Sequence, residues 1–339
     1  MPSSKKLLIR LSSAGDVLLT TPLLKLLRQT EPDSETHFVV KSQYADLIRC
    51  NPNVNVVHLV QDHADIHNLE NLRRTLIAEH FDVTLDLHNN FRSVYLRKKT
   101  AENVKVIDKD IFKRAILVGT KVNLYSNIRS TALKYVQTYD RSISEVAAPE
   151  IFFPKGVVEK IDRLWQAAGA GGDQAVFLCP GANHFTKRWP VAYWSLLARR
   201  VSGFGRVALA GGEADSGDCN LIKKSCGALD FSGELSLIES VALLRHASVV
   251  VTNDSFLMHA ANALGKKIVA IFGSSVREFG FFPYGVKNEV LEVSGLKCRP
   301  CSHVGRESCP KGHFKCMLET NPDTVLETVK SFLNDQAGV

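Results

Sequence analysis

The sequence predicts an α/β protein built from two Rossmann-like domains. Short apolar runs alternate with helical stretches, the alternation breaks between Pro149 and Gly172 and then restarts, and loop-forming residues sit at the ends of the apolar runs. Alternation of this kind indicates βαβ units on a parallel sheet. A chain of 339 residues that is 45% hydrophobic also exceeds what one core usually holds. The expected ranges are an N-terminal domain over 1–168, a C-terminal domain over 169–320, and a closing helical segment over 321–339, drawn as packing back on the first domain.

In the first half, Lys5–Leu11 reads as a buried strand followed by the breakers Ser12-Ser13-Ala14-Gly15. From Asp16 the pattern turns helical, with Pro22 near its start. Strands are then expected at Thr36–Val40, Val54–Leu59 and Val83–Leu87, with helices near Gln43–Cys50 and over Leu69–Glu79. In the second half a helix is expected over Val157–Ala167, followed by strand Ala175–Leu178, helix Val191–Val201 and strand Arg206–Ala210, which runs into Gly211-Gly212. Helix Leu237–Arg245, strand Val249–Thr252, helix Phe256–Leu264 and strand Lys267–Phe272 continue the series, and Pro322–Leu333 reads as the last helix. Gly265 is a natural residue to close the helix before it.

Composition narrows the class. Charged residues are 23% and mean hydropathy is −0.03, the values of a soluble globular protein. No apolar run approaches the roughly 20 residues that a bilayer demands. Arg10 and Asp16 interrupt the only stretch that could serve as a signal peptide, so the expected location is the cytoplasm.

The net charge of +7 is unevenly spread: Phe91 to Lys134 holds eleven Lys and Arg against three acids, a local excess of +8. Such a run is either a solvated face or a surface for an anionic partner. Aromatic interleaving is sparse, so lipid or glycan phosphate ranks above nucleic acid. Of the eight cysteines, Cys298, Cys301, Cys309 and Cys316 crowd into the last fifty residues, with His303 and His313 among them. The readings open there are a structural metal site or a reduced packing loop; a zinc ribbon normally has two Cys-x-x-Cys knuckles and this segment has one.

In open α/β sheets, chemistry collects in the loops beyond the carboxyl ends of the strands. Three such loops stand out. The first is Ser12-Ser13-Ala14-Gly15-Asp16, where Gly15 permits a tight turn and Asp16 lies at a helix start. An Asp there can be simply a cap. The loop lacks the G-x-G-x-x-G of a dinucleotide fold, and no cofactor is implied. The second, Pro180-Gly181-Ala182 through Thr186-Lys187-Arg188-Trp189-Pro190, is an anion cradle in composition. The third is Asn253-Asp254-Ser255, leading into a helix that carries His259 one turn later.

Taken together and in this order, the loops resemble the ADP-heptose:lipopolysaccharide heptosyltransferases, family 9 of the glycosyltransferases. The matching stretches are Gly15-Asp16, Pro180-Gly181-Ala182, Lys187-Arg188-Trp189-Pro190, Asp254 to Gly265, and Ile268 to Gly273, with a similar Cys-rich end. The resemblance implies a GT-B architecture with the two domains facing across a cleft. It also implies an inverting, metal-independent transfer of heptose from an ADP-sugar to the anionic lipopolysaccharide core, at the cytoplasmic face of the inner membrane. Asp16 is then the general base and Lys187 the cation on the departing diphosphate. Gly15, Pro180, Gly181, Thr186, Asp254, Ser255 and His259 are donor contacts, and Glu213 is preferred over Asp215 and Asp218 for the ribose. Arg92, Arg97, Lys98, Lys113 and Arg114 are the expected acceptor-binding residues. The chain departs from the family pattern at Phe256, where Gly is usual, and at Ser274-Ser275. A large side chain at 256 narrows the donor pocket, which keeps another nucleotide sugar as the rival enzyme reading. A dead, binding-only homologue is the non-enzyme rival, opposed by the joint presence of Asp16 and Lys187.

Overall fold

The computed structural model describes residues 4–62, 65–169 and 174–335. The elements run β1 (Lys5–Ile9), α1 (Ala14–Leu18), α2 (Thr21–Thr30), β2 (Glu35–Lys41), β3 (Val56–Val60), α3 (Ile66–Ala78), β4 (Val83–Asp86), α4 (Phe91–Leu96), β5 (Asn103–Val106), α5 (Ile111–Thr120) and α6 (Thr131–Tyr139). They continue with α7 (Val157–Ala167), β6 (Ala175–Cys179), α8 (Val191–Val201), β7 (Arg206–Leu209), α9 (Ser216–Cys226), β8 (Leu229–Asp230) and α10 (Leu237–Leu243). The last are β9 (Val249–Asn253), α11 (Phe256–Ala263), β10 (Lys267–Phe272), β11 (Asn288–Glu292), α12 (Lys315–Leu318) and α13 (Pro322–Asn334). None of the described helices is long and apolar enough to cross a membrane.

Contacts divide the chain into two compact units: Met1–Asp110 with Arg129–Pro154, and Ile111–Ile128 with Lys155–Val339. These differ from the expected ranges in three ways. The boundary falls at Pro154 and not at 168, because α7 belongs to the second unit: Trp165 stacks on Phe177 of β6 at 5.4 Å. Residues 111–128 leave the first unit and join the second, where Lys121 Nζ donates to Pro300 O and Asn123 Nδ2 to Glu278 Oε1. The closing helix α13 does not return to the first unit. Its apolar side, Val325, Leu326, Val329, Phe332 and Leu333, is buried in one core with Trp194, Leu197 and Val201 of α8.

The first unit is a five-stranded sheet of order β3-β2-β1-β4-β5, parallel throughout. Leu7, Ile9, Val39 and Val60 pack with Leu69 and Leu76 of α3 and Leu96 of α4. Alternate residues of the same strands, Leu8, Phe38 and Val40, face the other way and are also fully buried. Burial on both faces is why these strands read as continuous apolar runs. The expected helix near Gln43–Cys50 is only a 3-10 turn over Ser42–Leu47, and the helix from Asp16 is two helices, with Pro22 in the first turn of the second.

The second unit is a six-stranded parallel sheet, β11-β10-β9-β6-β7-β8. Val176, Leu178, Val249, Val251, Val269 and Ile271 face α8, α9 and α13, and Phe177 on the opposite face meets α7. In each unit the first strand lies between the second and the fourth, so the strand order reverses beside it. The reversal points lie between β1 and β4 and between β6 and β9. Connections leave in opposite directions there and open a crevice at the carboxyl ends of the strands.

Candidate active site

The crevice of the first unit holds Asp16. It is the third residue of α1, not its N-cap, which is Ser13. Its carboxylate is pinned from several sides: Arg10 Nη2 at 2.8 Å, Ser13 Oγ donating at 2.9 Å, Tyr135 Oη donating at 3.0 Å and the Ser13 amide at 3.3 Å. Burial alone would raise the pKa of Asp16, but the Arg10 guanidinium and the donated hydrogen bonds outweigh it and hold the group below the usual carboxylate range. Asp16 is therefore an ionised carboxylate at neutral pH.

Arg10 itself is buried, donates from Nη1 to Leu87 O at 2.6 Å and lies 5.5 Å from the Tyr135 ring centroid. It ties β1 to the end of β4. There Asp86 accepts from the amides of His88 and Asn89, and from Ser93 Oγ and Arg97 Nη1. His88 is 9% exposed, and its Nδ1 is buried without a hydrogen-bond partner. Burial, then the charges of Arg10 and Lys109, push its pKa down to about 3, so it is neutral.

Sequence reading missed Arg10, Tyr135 and His88. A signal existed for Arg10, since a cation closing a fully buried strand requires a carboxylate partner. None existed for Tyr135, which reaches Asp16 across 119 residues of chain.

The crevice of the second unit gathers the other two loops. Asn253 stitches them, accepting from the Trp189 amide at 3.2 Å and donating to Pro180 O at 2.6 Å. Lys187 Nζ then lies 2.7 Å from Asp254 Oδ2, with both side chains largely buried. Asp254 also accepts from Ser275 Oγ at 2.6 Å. Burial raises its pKa, but Lys187 above all draws it below the ordinary value, so the pair is ionic. Ser275 Oγ is thus committed to Asp254, and Arg299 Nη2 fixes the Ser275 carbonyl at 2.7 Å.

Ser255 is the N-cap of α11 yet its side chain makes no capping bond, which leaves the first-turn amides uncapped by side chain. An uncapped helix start beside a lysine is suited to an anion. His259 is buried on the same helix and sits edge-on to Phe281. Phe256 opens α11 and is half-buried.

The remaining expected donor residues are distributed unevenly. Gly181 packs so tightly that a Cβ there would collide with the Asp215 carboxylate, and Gly211 approaches the same side chain. Asp215 accepts from the Gly212 amide at 3.0 Å and faces Arg188 at 3.8 Å, and burial raises its pKa. Glu213, two residues earlier, is exposed. Thr186 is fully buried and its hydroxyl is engaged by the Arg306 amide at 2.9 Å and by Ser274 Oγ at 3.1 Å, so it orders the loop.

That bond is part of a clamp by the Cys-rich segment. The Thr186 amide donates back to Arg306 O at 3.1 Å, Phe314 stacks on Phe185 at 4.6 Å, and Met317 fills the space that a Cβ on Gly273 would need. The four cysteines are free thiols, with Cys298 Sγ 3.8 Å from His313 Nε2. Burial pushes Cys316 up to about 11. Among the described residues no three His, Cys, Asp or Glu side chains are grouped to hold a metal ion.

The expected acceptor residues divide between the units: Arg92, Arg97 and Lys98 in the first, Lys113 and Arg114 in the second. Arg97 is committed to buried Asp86 at 2.7 Å, whereas Lys98 is exposed.

Two Rossmann-like units, one presenting a largely buried carboxylate and the other a lysine paired with Asp254 at a helix start, have the architecture of a GT-B glycosyltransferase. The family profile described as glycosyltransferase family 9 (heptosyltransferase) matches residues 69–311, and the chain belongs to that family. Lipopolysaccharide heptosyltransferase 2 of Salmonella typhimurium is 23% identical, over 98% of this chain and 99% of that protein. The Escherichia coli K12 protein of the same name is 24% identical, over 97% and 98%. Among solved structures, a family 9 glycosyltransferase from Veillonella parvula superposes with a TM-score of 0.83 at 21% identity, covering 99% and 98% of the two chains. E. coli ADP-heptose lps heptosyltransferase II gives 0.77 at 21% identity, over 98% and 100%.

Proposed function

We propose that the chain transfers a heptose from ADP-heptose to the inner core of lipopolysaccharide, with inversion and without a catalytic metal. The observation that carries this reading is the Lys187–Asp254 ion pair at the uncapped start of α11, a fixed cation where a leaving diphosphate would develop charge. Relatives named lipopolysaccharide heptosyltransferase 2 over nearly the full length support the choice of sugar and acceptor.

In the proposed step the acceptor hydroxyl oxygen attacks the anomeric carbon and gives its proton to Asp16. The bond from that carbon to the diphosphate breaks, and ADP departs with the electron pair. Lys187, the first-turn amides of α11 and His259 meet its charge, with Pro180 and Gly181 forming the floor. Asp254 holds Lys187 in place. Asp215, packed on Gly181 and Gly211, is a better placed partner for the ribose than exposed Glu213. Gly15 is buried in α1 beside Asp16, and the cations Arg92 and Lys98 attract the anionic acceptor. The acceptor is lipid-borne, which puts the reaction at the cytoplasmic face of the inner membrane.

The test is a panel of ADP- and UDP-sugars, read first as a shift in melting temperature and then as turnover on a heptose-deficient core oligosaccharide. A ligand bound only by the native state raises Tm by mass action. ADP-heptose giving both the largest shift and the fastest transfer is the expected result. Preference for a UDP-sugar would overturn the donor, and the narrowing at Phe256 would then explain it.

A further inference from the structure

Helix α5 and the loop after it form an unusual surface. Of the ten residues of α5 only Leu117 is buried. The exposed positions of the helix are Ile111, Phe112, Ala115, Gly119 and Thr120, so Ile111, Ala115 and Gly119 repeat at helical spacing on one outward side. Ile111 is 60% and Phe112 73% exposed, and the following loop adds Val122 at 53%, Leu124 at 43% and Ile128 at 55%. Surface helices normally turn such residues inward.

The segment is held from beneath. Lys121 Nζ donates to the carbonyls of Val118 and Pro300, both at 2.6 Å, and Asn123 donates to Glu278. Its apolar side chains are thus presented by a fixed support on the second unit. Residues 111–128 contain Lys113, Arg114 and Lys121 and not one Asp or Glu. Lys113 and Arg114 lie between the outward side and the buried one, half-exposed, and Lys113 Nζ is 5.8 Å from the Tyr125 ring centroid.

We propose that residues 111–128 dock the protein on an anionic lipid surface, Ile111 and Phe112 entering the headgroup boundary and Lys113 and Arg114 meeting lipid phosphate. Apolar side chains outward with flanking cations and no acids is the composition of an interfacial helix. The charge selects an anionic bilayer over a second copy of this chain, since two copies of a +3 segment facing each other repel. The inference rests on the reading that the acceptor is lipid-borne and gives that acceptor's membrane a contact outside the chemical site. It moves Lys113 and Arg114 from direct acceptor binding to lipid attraction.

The test is co-sedimentation of the full chain with vesicles of phosphatidylcholine alone or doped with phosphatidylglycerol. Binding is expected only to the doped vesicles, weakening as salt rises, because the attraction is screened over about 10 Å at 0.1 M. Ile111→Ser with Phe112→Ser should lower the partition coefficient by roughly tenfold or more, two exposed apolar side chains being withdrawn from the interface. Their Tm and their turnover on a soluble core oligosaccharide should stay at the wild-type values, because both side chains already lie in water. Lys113→Gln with Arg114→Gln should weaken binding at low salt and match wild type at high salt. Failure of wild type to bind doped vesicles overturns the proposal even if turnover on the soluble acceptor is intact. Equal binding by the Ile111→Ser, Phe112→Ser variant, or a wild-type dimer in solution that the same substitutions dissolve, also overturns it.

Discussion

The most informative single perturbation is Asp16→Asn, because the structure separates its structural from its chemical consequence. Asp16 is paired at 2.8 Å with Arg10, whose side chain is 9% exposed against 16% for Asp16. Neutralising one member of a buried pair leaves the other uncompensated, a loss of roughly 3–5 kcal/mol. The amide oxygen can still accept from Tyr135 and Arg10, so the lower end, about 3 kcal/mol, is expected, with Tm down by roughly 4 °C for a chain of this length. If Asp16 also receives the acceptor proton, turnover should fall by about two to four orders of magnitude in protein that is still folded.

Arg10→Met is the control. It breaks the same ion pair and loses comparable stability, yet it keeps the carboxylate. Removing the cation should raise the pKa of Asp16, because the Arg10 charge is the main influence holding it down, so the acid limb of kcat/KM moves to higher pH while the plateau survives in part. The assay is ADP release on core oligosaccharide across pH, with circular dichroism and melting for each variant at a temperature where all are folded. Folded Asp16→Asn turning over near the wild-type rate would refute the assignment and leave Asp16 as the group that anchors Arg10 and holds Ser13, the N-cap of α1.

Lys187→Ala should lower kcat by roughly two orders of magnitude or more while acceptor KM holds, because its charge matters most as the diphosphate leaves; unchanged kinetics would return Lys187 to the role of a partner for Asp254. Chelation with EDTA should leave the rate unaltered, and a loss of rate with an intact circular dichroism spectrum would contradict metal-free chemistry. His88 gives a pH test of stability. Its folded pKa of about 3 lies below the ordinary 6.5, so between those values the unfolded chain binds a proton that the folded one refuses. Stability is therefore full above pH 6.5 and falls as pH drops toward 3, by about 1.4 kcal/mol at pH 5.5. Urea melts at pH 7.5 and 5.5 should show that loss in wild type and not in His88→Asn; an equal loss in both would assign the acid sensitivity elsewhere, with His58, pushed to about 4 by burial, the next group to test.

The local grammar of this chain was legible in the sequence. Strands β1, β2, β6, β9 and β10 are apolar runs ended by loop-forming residues, and helices α7 and α8 fall on the expected residues. These features depend on neighbours in the chain, through side-chain periodicity and backbone preference. The order of the three loops identified the family for the same reason, since Pro180-Gly181 and Asp254 follow directly on strands β6 and β9 and Gly15-Asp16 lie in the first helix after β1. Weaker segments such as α6, β8 and β11 were missed because they are short or carry no clear apolar period.

What only the tertiary structure decided is which residues meet. Tyr135 reaches Asp16, Arg306 closes on Thr186, and residues 111–128 cross to the second unit, each through partners more than a hundred positions distant. The closing helix stayed with its own unit because five of its side chains complete the core around Trp194. Sequence spacing records which side chains a segment offers. Packing determines which of them lose water together, and that loss makes Asp16 an ion-paired base candidate and Lys187 a fixed cation, where the sequence alone allowed a cap and a solvated lysine.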